Sequence, residues 1–350
     1  MGIFSKKALG IDIGVASIKI VEISSSLGGK KKLENYAQFT FPSSLNIETF
    51  QKGRKMFLID QTAKVLKEVL ARSDFDSKRI AFSIPDFSTF FTNFSLPPMN
   101  EEEVPKAVEF EARHHIPLPL SEVSFDWHVL EKKKTYPGLA LKILLVAVPN
   151  KILKSYQKIA DSAGVNLRAM EAEVFGLIRS SIGKRDSKKP VCLVDIGWES
   201  TTISIIEEET LQVSRSFDIS GSSLTKALVD NLNLDWNEAE RIKKEEGLNP
   251  DNKKVAEIIA RELNSLSLEI DNLCSKYGGE GKKIEEIIIT GGTSSMFGLK
   301  TYLESRTKKK VSIPDPFSAL SCPIQLKGRL KKLGPSFAVA VGVGLMGLDN

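Results

Sequence analysis

Apolar positions along the chain fall into short strand-like runs separated by longer stretches with helical spacing. Residues 8–14 and 17–24 read as two strands joined by a tight turn, and Leu33 to Phe41 completes a meander. Residues 55–72 carry Met56, Ile59, Ala63, Leu66, Val69 and Leu70 on one side of a helix. Arg79 to Pro85 is a buried strand stopped by proline. Phe90 to Pro98 is a further strand, after which Asn100 and three glutamates open a helix to about His115. Strands Ser124 to Glu131 and Leu139 to Val148 follow. Asn150 then caps a helix over Lys151 to Ala163, before strand Asn166 to Glu171 and helix Glu173 to Ile182.

Beyond a polar, basic stretch from Gly183 to Pro190 the opening pattern returns. Strands Val191 to Ile196, Thr201 to Glu207 and Leu211 to Ile219 form a second meander. Gly221 opens a helix to about Leu232, Asp235 caps one through Glu246, and a long helix covers Asp251 to about Tyr277. Strand Ile284 to Thr290 leads through Gly291-Gly292-Thr293-Ser294 into a helix from Met296 to Leu303. Val311 to Ile313 is a short edge strand, and the small-residue run Gly334 to Leu348 is a closely packed helix. Three strands, a helix and a further strand, occurring twice, predict a duplicated α/β fold of two lobes. The expected units are 1–86, 165–187 and 331–350 as a first lobe, and 188–229 with 283–330 as a second. An inserted β-α-β-β-α subdomain spans 87–164, and a helical subdomain spans 230–282.

Composition narrows the class. A chain of 350 residues is too long for one simple core. Apolar residues at 41% and charged residues at 27% are ordinary for a folded globular protein. The net charge of +5 is spread among acids, which points away from nucleic acid. Basic runs occur at Lys30–Lys32, Lys132–Lys134, Lys308–Lys310 and Lys327–Lys332. Solvated loops and helix ends account for them; attraction to an anionic membrane is the sharper alternative. Three cysteines, odd in number and far apart, predict no disulfide framework, and three histidines form no zinc pattern. No apolar segment of signal-peptide or spanning length is present, so a cytoplasmic protein, peripheral to the membrane at most, is expected.

The candidate chemistry lies in the repeat. Leu9 to Ile23 and Leu193 to Ile206 each carry Asp-Ile-Gly at a strand end, then a small or hydroxylated turn and a second strand. A phosphate chain with a divalent cation needs glycine turns, carboxylates for a water-shelled magnesium, and balancing cations or hydroxyls. The first hairpin offers Asp12, Gly14, Ser17 and Lys19. The second offers Asp195, Gly197, Ser200, Thr201 and Thr202. Gly291-Gly292-Thr293 adds a loop expected to leave N–H groups free at a helix N-terminus. One Asp-Ile-Gly alone would be an ordinary turn; two, each opening a meander, point to a cleft between facing hairpins.

This set resembles the actin-like (ribonuclease H-like) ATPase superfamily. Leu9–Lys19 and Leu193–Thr202 match its two phosphate motifs, and Ile287–Met296 its adenosine motif. Glu173–Ser180 and Phe337–Gly347 match its connecting helices. More narrowly, the chain is similar to the PilM family of type IV pilus assembly proteins, which is FtsA-like. Gly10–Gly14 with Ser17–Glu22, Leu96-Pro97-Pro98-Met99 with Glu109–Arg113 and Ile116-Pro117, and Glu171–Arg179 carry that similarity. The family usually shows proline where Val174 stands, so the helix there is expected to start differently.

The resemblance implies ATP and Mg2+ as cofactors, with Asp12 and Asp195 holding magnesium through water. It places Gly14, Lys19, Gly197, Thr201 and Thr202 at the phosphates, and Gly221 and Gly291 to Thr293 near ribose and phosphate. Glu240 and Lys243 would flank the adenosine, and Glu173 would orient the attacking water. The implied function is an ATP-binding scaffold of the pilus inner-membrane platform, with any hydrolysis slow and regulatory. It would bind the N-terminal cytoplasmic segment of a PilN-like membrane protein, contact the motor ATPases, and reach the membrane only through its partner. Phe90, Phe91, Phe94 and Leu96 are candidates to line the peptide groove. The alternatives are an FtsA-like filament former and, less favoured, a small-molecule kinase. The first expects a C-terminal anchor helix beyond the last connecting helix, where this sequence stops at Asn350; the second expects a catalytic carboxylate and a sugar pocket.

Overall fold

The computed structural model describes residues 6–42, 59–135, 138–183, 189–278 and 282–349. The part of the expected first helix before Ile59 lies outside them. Two five-stranded sheets share one topology. In the first, β1 (Lys6–Ile13) is flanked by β2 (Ser17–Ser25) and β4 (Ile80–Ile84), with β3 (Lys31–Thr40) and β8 (Leu167–Ala172) at the edges, giving the order β3-β2-β1-β4-β8. In the second, β9 (Val191–Ile196), β10 (Thr201–Glu207), β11 (Thr210–Phe217), β12 (Glu286–Thr290) and β13 (Lys310–Ser312) run β11-β10-β9-β12-β13. The meander strands pair antiparallel and the remaining two parallel in both.

Central strands are apolar on both faces because helices cover both faces. In β1, Leu9, Ile11 and Ile13 pack against α1 (Ile59–Arg72) and α3 (Asn150–Ala163). The alternate residue Ala8 meets α9 (Lys327–Asp349) through a cluster containing Phe337, Ala340 and Leu345. In β9, Cys192, Val194 and Ile196 face α5 (Gly221–Leu232) and α7 (Lys253–Gly278), whereas Val191 and Leu193 face α9 and α4 (Glu173–Leu177). Helices α4 and α9 are therefore sandwiched between the two sheets. The period of two then places Asp12 and Asp195, each two residues before a glycine, on the inward faces.

The third sheet, β5-β7-β6, joins β5 (Phe90–Met99), β6 (Val123–Thr135) and β7 (Gly138–Pro149), with α2 (Val104–His115) on one face. Alternation in β5 sends Phe94 and Leu96 into that core, with Phe90 packed against it. Phe91 instead points toward Phe175, at 6.3 Å between ring centroids, and the second lobe. Phe94 and Leu96 are thereby buried in the small core, whereas Phe90 and Phe91 stay partly exposed. Asn93 Nδ2 donates to Gln212 O at 2.5 Å, tying β5 to edge strand β11.

Three local expectations change. Helix α3 packs on the first sheet through Ile152, Tyr156, Ile159 and Ala160, not on the small sheet. Asn150 does not cap it: its side chain accepts from Ser124 Oγ at 2.8 Å and donates to Ser121 O. The helix from Glu173 is α-helical only to Leu177, and Ile178–Ile182 widens into a π turn. There Arg179 makes two 2.8 Å bonds to the Glu171 carboxylate and reaches Gly342 O at 3.0 Å. Among the described residues no helix is long and apolar enough to cross a membrane.

Candidate nucleotide cleft

A cavity of about 490 Å3 opens between the two sheets. The two Asp-Ile-Gly turns face one another across it, each closed alike: Gly14 N donates to Ser17 O, and Gly197 N to Ser200 O, both at 3.0 Å. These two glycines therefore shape the loops but do not offer their own N–H groups. Asp12, Gly14, Ser17, Lys19, Glu173, Asp195, Gly197, Ser200 and Thr202 line the cavity, as do Glu240, Lys243, Gly291, Gly292 and Thr293. Thr201 and Gly221 do not. Alternation along β10 turns Thr201 inward, where it is fully buried, while Thr202 faces the cavity with its hydroxyl 3.0 Å from Ser216 Oγ. Gly221 sits behind Thr293 and Lys243, where a Cβ would come within 2.7 Å of Thr293 Oγ1.

The two aspartates differ. Asp12 Oδ1 accepts from Ser83 Oγ at 2.9 Å, and Oδ2 pairs with Lys19 Nζ at 3.2 Å. Asp12 and Lys19 are directly opposed across the β1–β2 ladder, so the strand register makes this ion pair. Asp195 has no side-chain hydrogen bond among the described residues. Burial first, and the neighbouring Asp12 second, push its carboxyl up to about 6, against the pull of Lys19. Two carboxylates on facing loops with one lysine between them are an anionic site short of positive charge. That fits a hard cation. Among the described residues no three acidic, histidine or cysteine side chains converge as a metal cage. The fit is thus to an ion held mainly by water and ligand phosphates.

Behind them is a carboxyl pair of which the sequence reading named only one member. The Asp86 N–H donates to Glu173 Oε2 at 3.1 Å, and the Val174 N–H donates to Asp86 Oδ1 at 3.1 Å. Each side chain thus holds the other's backbone, joining the end of β4 to the start of α4. Asp86 Oδ2 is buried without a partner. Burial raises Asp86 to about 8, and burial followed by Asp86 and the two cleft aspartates raises Glu173 well above the usual range. These folded values exceed the ordinary aspartate value of 3.8, so the folded state binds more protons. The contribution of these two carboxyls to stability is therefore fully present below about pH 4 and is lost as pH rises through about 6 for Asp195 and about 8 for Asp86. Asp86→Asn keeps an oxygen for the Val174 N–H and removes the charge. Its melting temperature is expected to match the parent near pH 4 and to exceed it by about 3 °C or more near pH 8. Identical melting profiles across that range would refute the assignment.

The opposite wall is made by α6 (Trp236–Glu245), which contributes Glu240, Lys243 and Lys244, with α5 behind it. Lys243 is buried, and its Nζ donates to Gly221 O and Thr225 Oγ1 at 2.8 Å and to Glu240 Oε2 at 2.7 Å. Burial pulls Lys243 down, while Glu240, although burial pushes it up, is held below its usual value by Lys243. Lys243 therefore fixes the wall, while Lys244, exposed beside it and 3.1 Å from Glu240, and Lys332, also exposed, bring further positive charge to the cavity. Trp198, straight after Gly197, also lines the cavity with its ring 6.4 Å from that of Trp236. The Gly291 loop is not at a helix N-terminus, because α8 (Leu299–Thr307) begins only after a further turn with Gly298 at φ +78°. Two of its N–H groups are already used: Gly291 N donates to Pro335 O, and Thr293 N to Ile196 O. Gly291, at φ +88°, lies against Asp195, where a Cβ would come 2.6 Å from Oδ1.

Comparison with known proteins agrees with this architecture. A solved structure described as the PilM-PilN type IV pilus biogenesis complex is 22% identical, with TM-score 0.82 over 98% of this chain and 99% of that one. MreB 5 of Spiroplasma citri bound to AMPPNP is 11% identical, with TM-score 0.54 over 97% and 96%. The cell division protein FtsA of Staphylococcus epidermidis is 20% identical across 88% of this chain and 74% of its own length. The fold is that of the actin-like ATPases. The family of the type IV pilus assembly protein PilM matches residues 10–348. The chain belongs to that family.

Proposed function

We propose that this protein is an ATP-binding scaffold of the type IV pilus inner-membrane platform. The observation that carries the reading is the pair of facing Asp-Ile-Gly turns, whose excess negative charge invites a cation and a phosphate chain. Asp12 and Asp195 would hold magnesium through water. Lys19, Ser17, Ser200 and Thr202 would lie along the phosphates, and Glu240, Lys243 and the Gly291 loop beside the nucleoside. Bound magnesium supplies charge neutralisation for the phosphates. Glu173, held by the Asp86 N–H, would orient a water molecule, with any hydrolysis slow and regulatory.

The partner in this reading is the N-terminal cytoplasmic segment of a PilN-like membrane protein, with the pilus motor ATPases as further contacts. The support is family membership and the likeness to a complex described as PilM-PilN. Retention of synthetic N-terminal segments of PilN-like proteins on the immobilised full chain, with and without ATP and magnesium, tests this. Retention at least about tenfold above a scrambled segment, changed by nucleotide, is expected. No retention in either state, together with phosphorylation of a small metabolite, would favour the kinase alternative.

A further inference from the structure

Two basic segments far apart in sequence are joined side by side on the first lobe. The β2–β3 hairpin brings Lys30, Lys31 and Lys32. The start of α9 brings Lys327, Arg329 and Lys331, all exposed. Backbone pairing joins them: Leu33 N donates to Ser321 O at 3.0 Å, and Ser321 N to Lys31 O at 2.9 Å. Leu33 also shares a core cluster with Leu326 and Leu330, so the segment that carries the second group is packed against the first.

The face has little internal compensation. The sequence has no acidic residue from Ile23 to Leu33 or from Pro316 to Leu348. Of the six basic side chains only Lys32 has an ion pair among the described residues, with Glu34 at 2.7 Å. Helix α9 has no acid in its first turn, where its dipole favours an anion and Lys327 adds a further positive charge. The two most exposed large apolar side chains among the described residues are here too. Leu27, at the hairpin tip, is 77% exposed, and Ile324, in the short turn before α9, is 74% exposed.

We propose that this face is a contact site for the anionic surface of a phospholipid bilayer. Lysine and arginine would meet the headgroups, while Leu27 and Ile324 enter the interface between headgroups and acyl chains. An acidic protein surface would account for the charges but not for two isolated aliphatic side chains held out to solvent beside them. The contact is superficial and reversible, and it would add to any hold through a membrane-bound partner.

The test is co-sedimentation of the full chain with vesicles of phosphatidylglycerol and phosphatidylcholine, compared with phosphatidylcholine alone. Binding is expected only to the anionic vesicles and should fall as salt rises. Each lysine neutralised should weaken it about fivefold. The triple variant Lys30→Gln, Lys327→Gln, Lys331→Gln should therefore lose on the order of a hundredfold with an unchanged melting temperature. Leu27→Ser with Ile324→Ser should weaken binding while keeping its salt dependence. Equal binding to neutral vesicles, no binding by the parent, or parent-like binding by the folded triple variant would each overturn the proposal. So would an affinity confined to acidic polypeptides.

Discussion

Asp195→Ala is expected to remove magnesium-dependent ATP binding, weakening it by about a hundredfold or more, roughly 2.7 kcal/mol. The size follows from the environment. Asp195 has no protein hydrogen bond among the described residues, and its carboxyl is already raised to about 6 by burial and Asp12. Only a cation from outside the chain would keep it ionised at lower pH. Losing one side of such a buried charge contact costs about 2–5 kcal/mol. The same facts say that the unliganded variant should not melt earlier than the parent, because a half-buried carboxylate set beside Asp12, with only the pull of Lys19 in its favour, is removed. Loss of binding without loss of fold is the diagnostic pair, read by calorimetric titration and thermal melting. Asp12→Ala would be a poorer probe, since it also leaves Lys19, 13% exposed in its side chain, without its partner. Unchanged ATP affinity in Asp195→Ala would sink the assignment of the cleft.

Among the described glycines, Gly342→Ala should be the most damaging substitution. A Cβ there would lie 1.9 Å from Gly176 O and 2.6 Å from Gly176 Cα, so helix α9 would have to move away from α4. Both neighbours are backbone, and neither can turn aside as a side chain would. Overpacking of this kind costs about 3 kcal/mol or more, which exceeds the ~1 kcal/mol that alanine gains over glycine in a helix. Gly328, on the same helix, has nothing within 4 Å of its would-be Cβ. Gly328→Ala should therefore raise stability by about 0.5–1 kcal/mol. Chemical denaturation of the two variants separates close packing from helix propensity. Equal stabilities would mean that the α4–α9 crossing yields to an added methyl group.

The sequence is most informative where periodicity and chemistry coincide. The paired meanders stand out because apolar runs of period two end, in both, in Asp-Ile-Gly and resume after a short turn. Those strands, and both aspartates, lie where the pattern puts them. Asp86 was not legible: Pro85-Asp86 reads as a strand stop, and only the approach of α4, nearly ninety residues later, buries it against Glu173. Thr201 lies behind the cavity wall because the turn before β10 fixes which of two adjacent threonines faces the cleft, and composition does not record that parity. The Gly291 loop looked like a set of free donors, yet a carbonyl of α9 takes one of them. Helix α3 reads locally as the close of the insertion, but its apolar stripe matches the first sheet.

Helix α9 has a consequence for how the chain is made. One face of the first strands, Ala8, Val21 and Ile23, is covered by Phe337, Ala340, Val341 and Leu345, about 300 residues downstream. During synthesis those strands can form their meander, but they must wait with that face bare until α9 leaves the ribosome. Burial of each large α9 side chain contributes ~1.5–3 kcal/mol, so their sum rivals the 5–15 kcal/mol by which whole proteins are stable. A nascent chain stalled short of α9 would present a sticky half-sheet, an obvious substrate for chaperones and proteases.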